Sequence, residues 1–226
     1  LESGDDDTAV EADINVEKVS NLSDDFIMGM DISSVMSEFA SGVTYQDFEG
    51  NEIKDITAFC QFLKECGVTH IRVRVWNDPY DSDRNGYGGG NNDIDTAVKI
   101  AKGCQAADLK MLVDFHCSDF WTDPSKQQAP KVWQNYTVDE KATALKTFLS
   151  DSLTEINKTG VEIAMVQIGN ETNNAFIGAT NVADMCKLFS AGTEAVRTFN
   201  KGNNTNIKTV IHVTNPESSY MTTWAE

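Results

Sequence analysis

The segment Val161-Glu162-Ile163-Ala164-Met165-Val166-Gln167-Ile168-Gly169-Asn170-Glu171-Thr172 decides how the rest of the chain is read. Between Ile163 and Ile168 it is almost wholly apolar, the composition of a parallel strand covered on both faces. One polar side chain, Gln167, interrupts the run, and Asn170 and Glu171 close it. Side chains alternate along a strand, so Met165, Gln167 and Glu171 share a face provided that the alternation passes through Gly169. A carboxylate at the end of a buried strand is costly unless it is paired, hydrogen-bonded or used in chemistry. An Asn-Glu pair taken alone reads as an exposed turn. The other strands argue otherwise.

Working outward, the same pattern recurs. Phe26-Ile27-Met28-Gly29-Met30-Asp31 is a short apolar strand closed by an acid. Ile56, Phe59, Cys60 and Leu63 follow at helical spacing, with Gly67 where a helix would stop. The strand at 69–76 sets Ile71, Val73 and Val75 on one face and Arg72, Arg74 and Trp76 on the other. A long loop, 77–92, leads to a helix at 93–107. The strand at 110–116 sets Met111, Val113 and Phe115 against Leu112, Asp114 and His116. A second long loop, 117–136, precedes a helix opened by Thr137-Val138-Asp139-Glu140, a capping-box pattern. Beyond the opening segment come a helix at 181–200 and a strand at 207–213 that carries His212. This alternation predicts an α/β fold with a parallel sheet. The long loops follow strands, which puts the ligand side at the strand carboxyl ends.

The polar residues choose between α/β architectures. Arg72, Arg74, Asp114, His116, Gln167, Glu171 and His212 fall on one parity of their strands, and Asp31 ends the first. In an open doubly wound sheet both faces lie under helices, and charge there has no outlet. In a closed barrel the inward face converges at the mouth, where opposite charges pair. The expectation is a TIM-type (β/α)8 barrel, incomplete here, with about five βα units over residues 26–226. Residues 1–25, rich in Asp, Glu and Ser, read as an acidic flexible leader or tether. A carboxylate at a barrel mouth suits proton transfer to a leaving oxygen, which makes Glu171 a candidate general acid/base. Asn170 is placed to bond a sugar hydroxyl, His116 to make polar substrate contacts, and Asp114 to pair with Arg72 or Arg74.

Composition narrows the partners. A formal net charge of -17 on 226 residues argues against nucleic acid and anionic membranes, and no apolar run is long enough to span a bilayer. The five cysteines, Cys60, Cys66, Cys104, Cys117 and Cys186, form no C-x-x-C pair and read as buried small hydrophobes. Three histidines without H-x-H or H-E-x-x-H spacing give no metal site, and no cofactor is expected. Gly86-Tyr87-Gly88-Gly89-Gly90 is followed by Asn91-Asn92-Asp93, not Lys-Ser/Thr, so it reads as a loop lip and not a phosphate cradle. Trp76, Trp121, Trp133 and Trp224 all lie at or after strand ends, which suits platforms for the apolar faces of sugar rings.

Four motifs carry a resemblance. Phe26-Ile27-Met28-Gly29-Met30-Asp31-Ile32-Ser33, Arg72-Val73-Arg74-Val75-Trp76-Asn77-Asp78-Pro79, Asp114-Phe115-His116-Cys117-Ser118-Asp119-Phe120-Trp121 and Gln167-Ile168-Gly169-Asn170-Glu171 closely resemble the endo-β-1,4-galactanases of glycoside hydrolase family 53. The resemblance implies a (β/α)8 barrel, a retaining mechanism, and cleavage of β-1,4-galactan in type I arabinogalactan by an extracellular or surface-tethered monomer. Glu171 then matches the general acid/base, Asn170 its partner at the reacting sugar, and Arg74 the strand-end arginine that supports the nucleophile. His116, Trp121 and Asn77 fall in substrate-site motifs, and Asp31, Trp76 and His212 complete the expected substrate-binding set. A clan-related mannanase or xylanase is the alternative among enzymes, which strand patterns alone do not separate, although Trp76-Asn77-Asp78-Pro79 and His116-Cys117-Ser118-Asp119-Phe120-Trp121 point to a galactanase. A non-catalytic galactan-binding protein on the same fold is the alternative outside enzymes. Two departures stand out. Cys117 occupies a position expected to be aromatic. The nucleophile of the family is a Glu ending the seventh strand, and no strand after Glu171 ends in Glu here, since Glu217 and Glu226 lie in or beyond the fifth loop. The sequence reads as the N-terminal five-eighths of a galactanase, without its nucleophile.

Overall fold

The computed structural model describes residues 16–220 except 18, 24 and 216. Five parallel strands form one sheet: β1 (Gly29–Asp31), β4 (His70–Val75), β5 (Lys110–Phe115), β6 (Ile163–Ile168) and β7 (Lys208–Val210), adjacent in that order. Each strand lies beside its predecessor in the chain, apart from the antiparallel hairpin of β2 (Tyr45–Gln46) and β3 (Glu52–Ile53), which stands outside the sheet. The order never reverses, so there is no switch point of the doubly wound kind. Helices α2 (Ile56–Glu65), α3 (Ile94–Ala106), α4 (Val138–Asn157) and α5 (Val182–Asn203) pack each on the next. That succession requires them all to lie on one side of the sheet. An arc of parallel strands with helices only outside it is a section of a (β/α) barrel.

Each of these four helices starts where a side chain satisfies an otherwise orphaned backbone donor. Asp55 accepts from the Ala58 N–H at 2.9 Å, Asp93 from Thr96 at 2.9 Å and Asn181 from Asp184 at 2.9 Å. The capping box read at Thr137 and Glu140 forms in both directions. Between helices and sheet lies the core: Ile71, Val73, Val75, Met111, Val113, Phe115, Val166 and Ile168 from the strands, against Ile100, Leu145, Leu149, Leu153, Leu188 and Val196. The opposite, concave face carries Asp31, Arg72, Arg74, Asp114 and Gln167. The register sets Asp31 beside Arg72, Arg74 beside Asp114, and Asp114 beside Gln167. The shared parity seen in the sequence is therefore a shared wall.

Several boundaries differ from expectation. The first strand is 29–31, not 26–31, and the last is 208–210, not 207–213. Both are edge strands, so each has a ladder on one side only. Phe26, Ile27, Met28 and Met30 are accordingly half exposed. The stretch after β1 holds the short helix α1 (Val35–Ala40) as well as the hairpin, neither announced by periodicity. Cys60, Cys104 and Cys117 are buried as expected, whereas Cys66 and Cys186 are exposed. The leader at 1–25 and Trp224 lie mainly or wholly outside the described residues.

Helix α5 is held against β6 at Gly192, where an added Cβ would stand 2.9 Å from Ile168 Cγ2. Ile168 is fully buried and has no room to retreat. Gly192→Ala should gain about 1 kcal/mol of helix propensity and lose about 1 to 3 kcal/mol to overpacking, for a net loss read as a lower denaturation midpoint. An unchanged or raised midpoint would show that α5 and β6 can separate freely.

Candidate active site

Strand β6 leaves the sheet through a turn that only its sequence allows. Pairing with β5 persists to Gly169, whose N–H donates to Phe115 O at 2.8 Å. Gly169 then takes φ +79°, and a Cβ there would lie 2.5 Å from Thr172 Cγ2 and 2.8 Å from the Phe176 ring. Glu171 follows at φ +54°, a left-handed conformation that is uncommon and costly away from Gly, Asn and Asp. The alternation does not survive Gly169. The chain instead swings toward the loop after β7, where the Thr172 N–H donates to His212 O at 3.0 Å and the Glu171 N–H to His212 Nδ1 at 3.0 Å. Asn170 and Thr172 are buried and Glu171 is half-buried between them. Among the described residues nothing donates a hydrogen bond to the Glu171 carboxylate. Its backbone is bound at both the N–H and the carbonyl.

Below this turn, one guanidinium collects the charge of the concave wall. Arg72 Nη1 lies 2.5 Å from Asp31 Oδ2 and Nη2 lies 2.6 Å from Asp114 Oδ2. Its Nε and Nη2 also donate to Gln167 Oε1 at 3.3 and 3.2 Å, and Nη2 to Asn170 Oδ1 at 3.3 Å. Burial alone would raise the Asp31 carboxyl pKa. Hydrogen bonds from the Ser33 hydroxyl and N–H, and from Arg72, outweigh it and hold Asp31 below its ordinary value. Asp114 is fully buried, and its Oδ2 also lies 3.0 Å from His116 Nε2. These contacts on Asp114 are close in distance but misaligned as hydrogen bonds, so both of its oxygens lack a well-formed donor.

Several expected site residues are committed internally. Asp31, expected to bind substrate, has both oxygens occupied by Ser33 and Arg72. His116 is buried, with Nε2 at Asp114 and Nδ1 facing the Thr122 hydroxyl at 3.2 Å and N–H at 3.4 Å, so no ring nitrogen remains for a sugar. Arg74, expected to support the nucleophile, makes no ion pair among the described residues. Its guanidinium lies 4.0 Å above the Trp121 ring and makes long contacts to Asn92 Oδ1 and Gly89 O, and its Nε is buried without a partner. Burial lowers the Arg74 pKa, and neighbouring Asp31 and Asp114 only partly offset that. Of the four tryptophans, Trp121 is 40% exposed. Trp76 is fully buried among His116, Phe120 and Trp121, and Trp133 packs on Phe148, so neither is an open platform. Asn77 is half-buried with its N–H on Ser118 O, and its side chain bonds to no described residue.

Other residues enter the site without a signal in the sequence. Thr122 and Asn170 bond reciprocally, Oγ1 to the Asn170 carbonyl at 3.3 Å and Asn170 Nδ2 to the Thr122 carbonyl at 3.0 Å. Gln127, Ser33 and Asn92 are likewise buried in the loops that follow strands. Loops have no periodicity to expose such roles.

The family model for glycosyl hydrolase family 53 matches residues 27–226. The chain belongs to that family. It is 46% identical over 207 residues to an endo-beta-1,4-galactanase of Bacillus subtilis, covering 92% of this chain and 46% of the relative. An arabinogalactan endo-beta-1,4-galactanase of Cellvibrio japonicus is 32% identical over 203 residues, 86% of this chain and 51% of its own length. The solved GH53 catalytic domain of Ignisphaera aggregans superimposes with a TM-score of 0.86 at 36% identity, over 94% of this chain and 58% of that one. The chain thus spans about half the length of the curated relatives it matches. The arc of strands is part of a TIM-type barrel, as expected from the sequence.

Within this family 53 fold, Arg72 and not Arg74 is the structural cation. Arg72→Leu would strand the fully buried Asp114 and should cost about 3 to 5 kcal/mol, measured by denaturant unfolding. Arg74→Leu leaves no carboxylate stranded and should cost markedly less; equal losses would contradict the assignment.

His212 must keep Nδ1 unprotonated to accept the Glu171 N–H. Burial lowers its pKa and Arg72 pushes it further down, against the partial opposition of Asp114 and Glu171. A histidine whose folded pKa is depressed contributes stability that is full above its unfolded pKa, about 6.5, and is lost as pH falls through the folded value. His212→Asn keeps an acceptor near Nδ1 but does not titrate. The stability advantage of wild type over this variant should therefore be larger at about pH 7.5 than at about pH 5. A pH-independent difference would mean that His212 titrates alike in the folded and unfolded chains.

Proposed function

We propose that this chain is the N-terminal part of an extracellular or surface-tethered retaining endo-β-1,4-galactanase, with residues 26–226 in the barrel and 1–25 as a leader. The observation that carries the reading is the Glu171 carboxylate. It stands half-buried at the carboxyl end of β6 with no donor among the described residues, on a backbone held by His212 and Gln127. That placement suits a group that gives its proton to the departing glycosidic oxygen and then takes one from water. Galactan as the substrate rests on the names of the relatives, which run through beta-1,4-galactan. The net charge of -17 is compatible with a neutral polymer, and no described helix is long and apolar enough to cross a membrane.

Around Glu171, Asn170 Nδ2 bonds only Thr122 among the described residues, which leaves one N–H to hold a hydroxyl of the reacting sugar. His212 Nε2–H, Asn77 and the exposed ring of Trp121 are further contacts for the polymer. Arg74, already stacked on Trp121 with an unsatisfied Nε, is assigned to the charge of the nucleophile. Retaining hydrolysis needs a second carboxylate roughly 5 to 5.5 Å from the first. We assign it to a Glu ending a seventh strand, outside these 226 residues, where the family pattern puts it. Further βα units would also cover the open edges of β1 and β7.

In the complete enzyme, Glu171→Gln should cut hydrolysis of galactan by about 100-fold or more, while the first step on an activated aryl galactoside falls far less, because a good leaving group needs little protonation. Reducing-sugar release and the aryl burst measure the two. Equal first-step losses on both substrates would remove Glu171 as the proton donor.

A further inference from the structure

Gln127 lies in the loop between β5 and α4 and belongs to none of the motifs above. Its side chain is 6% exposed, and its Nε2 reaches three backbone carbonyls: Asn170 at 2.7 Å, Asp123 at 3.0 Å and Glu171 at 3.2 Å. A primary amide has two N–H groups, so one hydrogen is shared between two of these oxygens. The Gln127 carbonyl is itself anchored by the Gly178 N–H at 2.6 Å, which fixes the stem of the side chain. Its Oε1 is buried with no donor among the described residues. Turning the amide over would set that oxygen against three carbonyls, so the orientation is determined.

The consecutive carbonyls of Asn170 and Glu171 belong to the left-handed turn that takes β6 out of the sheet. Asn170 O has a second donor in the Thr122 hydroxyl. Glu171 O has none besides Gln127 among the described residues. The N–H of the same residue is held from the opposite side by His212. The backbone of Glu171 is therefore held at both its N–H and its carbonyl, and the hold on the carbonyl is a single side chain.

We propose that Gln127 is a positioning residue for Glu171, fixing the Asn170–Glu171 backbone so that the carboxyl group points into the mouth of the barrel. It does not touch substrate. The proposal rests on Glu171 being the proton donor, and the test separates the two claims. If Gln127 aims the donor, its loss falls on proton transfer. The damage must then grow as the leaving group worsens, while KM stays near its wild-type value.

The experiment compares Gln127→Leu, Glu171→Gln and wild type in the complete enzyme, on aryl β-galactosides with good and poor leaving groups. Gln127→Leu should slow the first step on the poor leaving group by roughly 10- to 100-fold, as expected for misplacement of a reacting group by about 1 Å, and on the good one by less than about threefold. KM should move by less than about twofold for both. Should Gln127→Leu fail to fold, Gln127→Glu carries the same test with its shape retained. Once ionised it offers only acceptors to the three carbonyls, so its leaving-group-dependent loss relative to wild type should be larger at about pH 7 than at about pH 4. Equal losses on both substrates, with Glu171→Gln still showing the leaving-group dependence, would reduce Gln127 to a structural loop residue. Loss of that dependence in Glu171→Gln itself would remove the donor assignment and the proposal with it.

Discussion

The concave face of this sheet exists because Arg72 can be satisfied there. A guanidinium offers five N–H donors in a planar fork, and here it donates to Asp31 from β1, Gln167 from β6 and Asn170 from the turn beyond, while its charge lies against Asp114 from β5. Charges facing inward are tolerable only if they are mutually paired. The pairing needs strands β1, β4, β5 and β6 in one register, since a slip of a single residue would turn every one of these side chains toward the helices. The same network that tolerates the charge thus sets the floor on which the acid turn rests.

Above that floor the polar groups divide into two kinds. Asp31, Asp114 and His116 are turned inward and committed to one another or to Ser33, Thr122 and Arg72. Glu171 is the reverse, a carboxylate with its backbone bound on both sides and its oxygens unclaimed by any described residue. Arg74 stands between the two kinds, packed on the Trp121 ring yet with a buried Nε that lacks an acceptor. Arg72 neutralises the carboxylates of this wall, and the arginine beside it makes no ion pair among the described residues.

The loops do the connecting. Residues after β5 reach across to the turn after β6 through Thr122 and Gln127, and the loop after β7 reaches back through His212. Each bond joins groups more than 40 residues apart in the chain, so each forms only when neighbouring βα units are docked. Cys117, at φ +55° and fully buried, fills space in this layer. Burial pushes its thiol pKa upward, which keeps it neutral.

Periodicity in the sequence determined the strand and helix order, the helix caps, and the parity that put Arg72, Arg74, Asp114 and Gln167 on one face, because those are local consequences of how side chains alternate or recur. It also singled out Glu171, since an acid closing a buried strand is anomalous in any α/β fold. It placed Glu171 on the wrong geometric premise, as the alternation ends at Gly169. Which arginine holds the buried carboxylate, that both nitrogens of His116 are already engaged, that Trp76 is buried while Trp121 is open, and that Gln127 grips the acid's own carbonyl were decided by tertiary structure alone. Each depends on the distance between side chains from different βα units, and no local pattern in one segment encodes how far it lies from another.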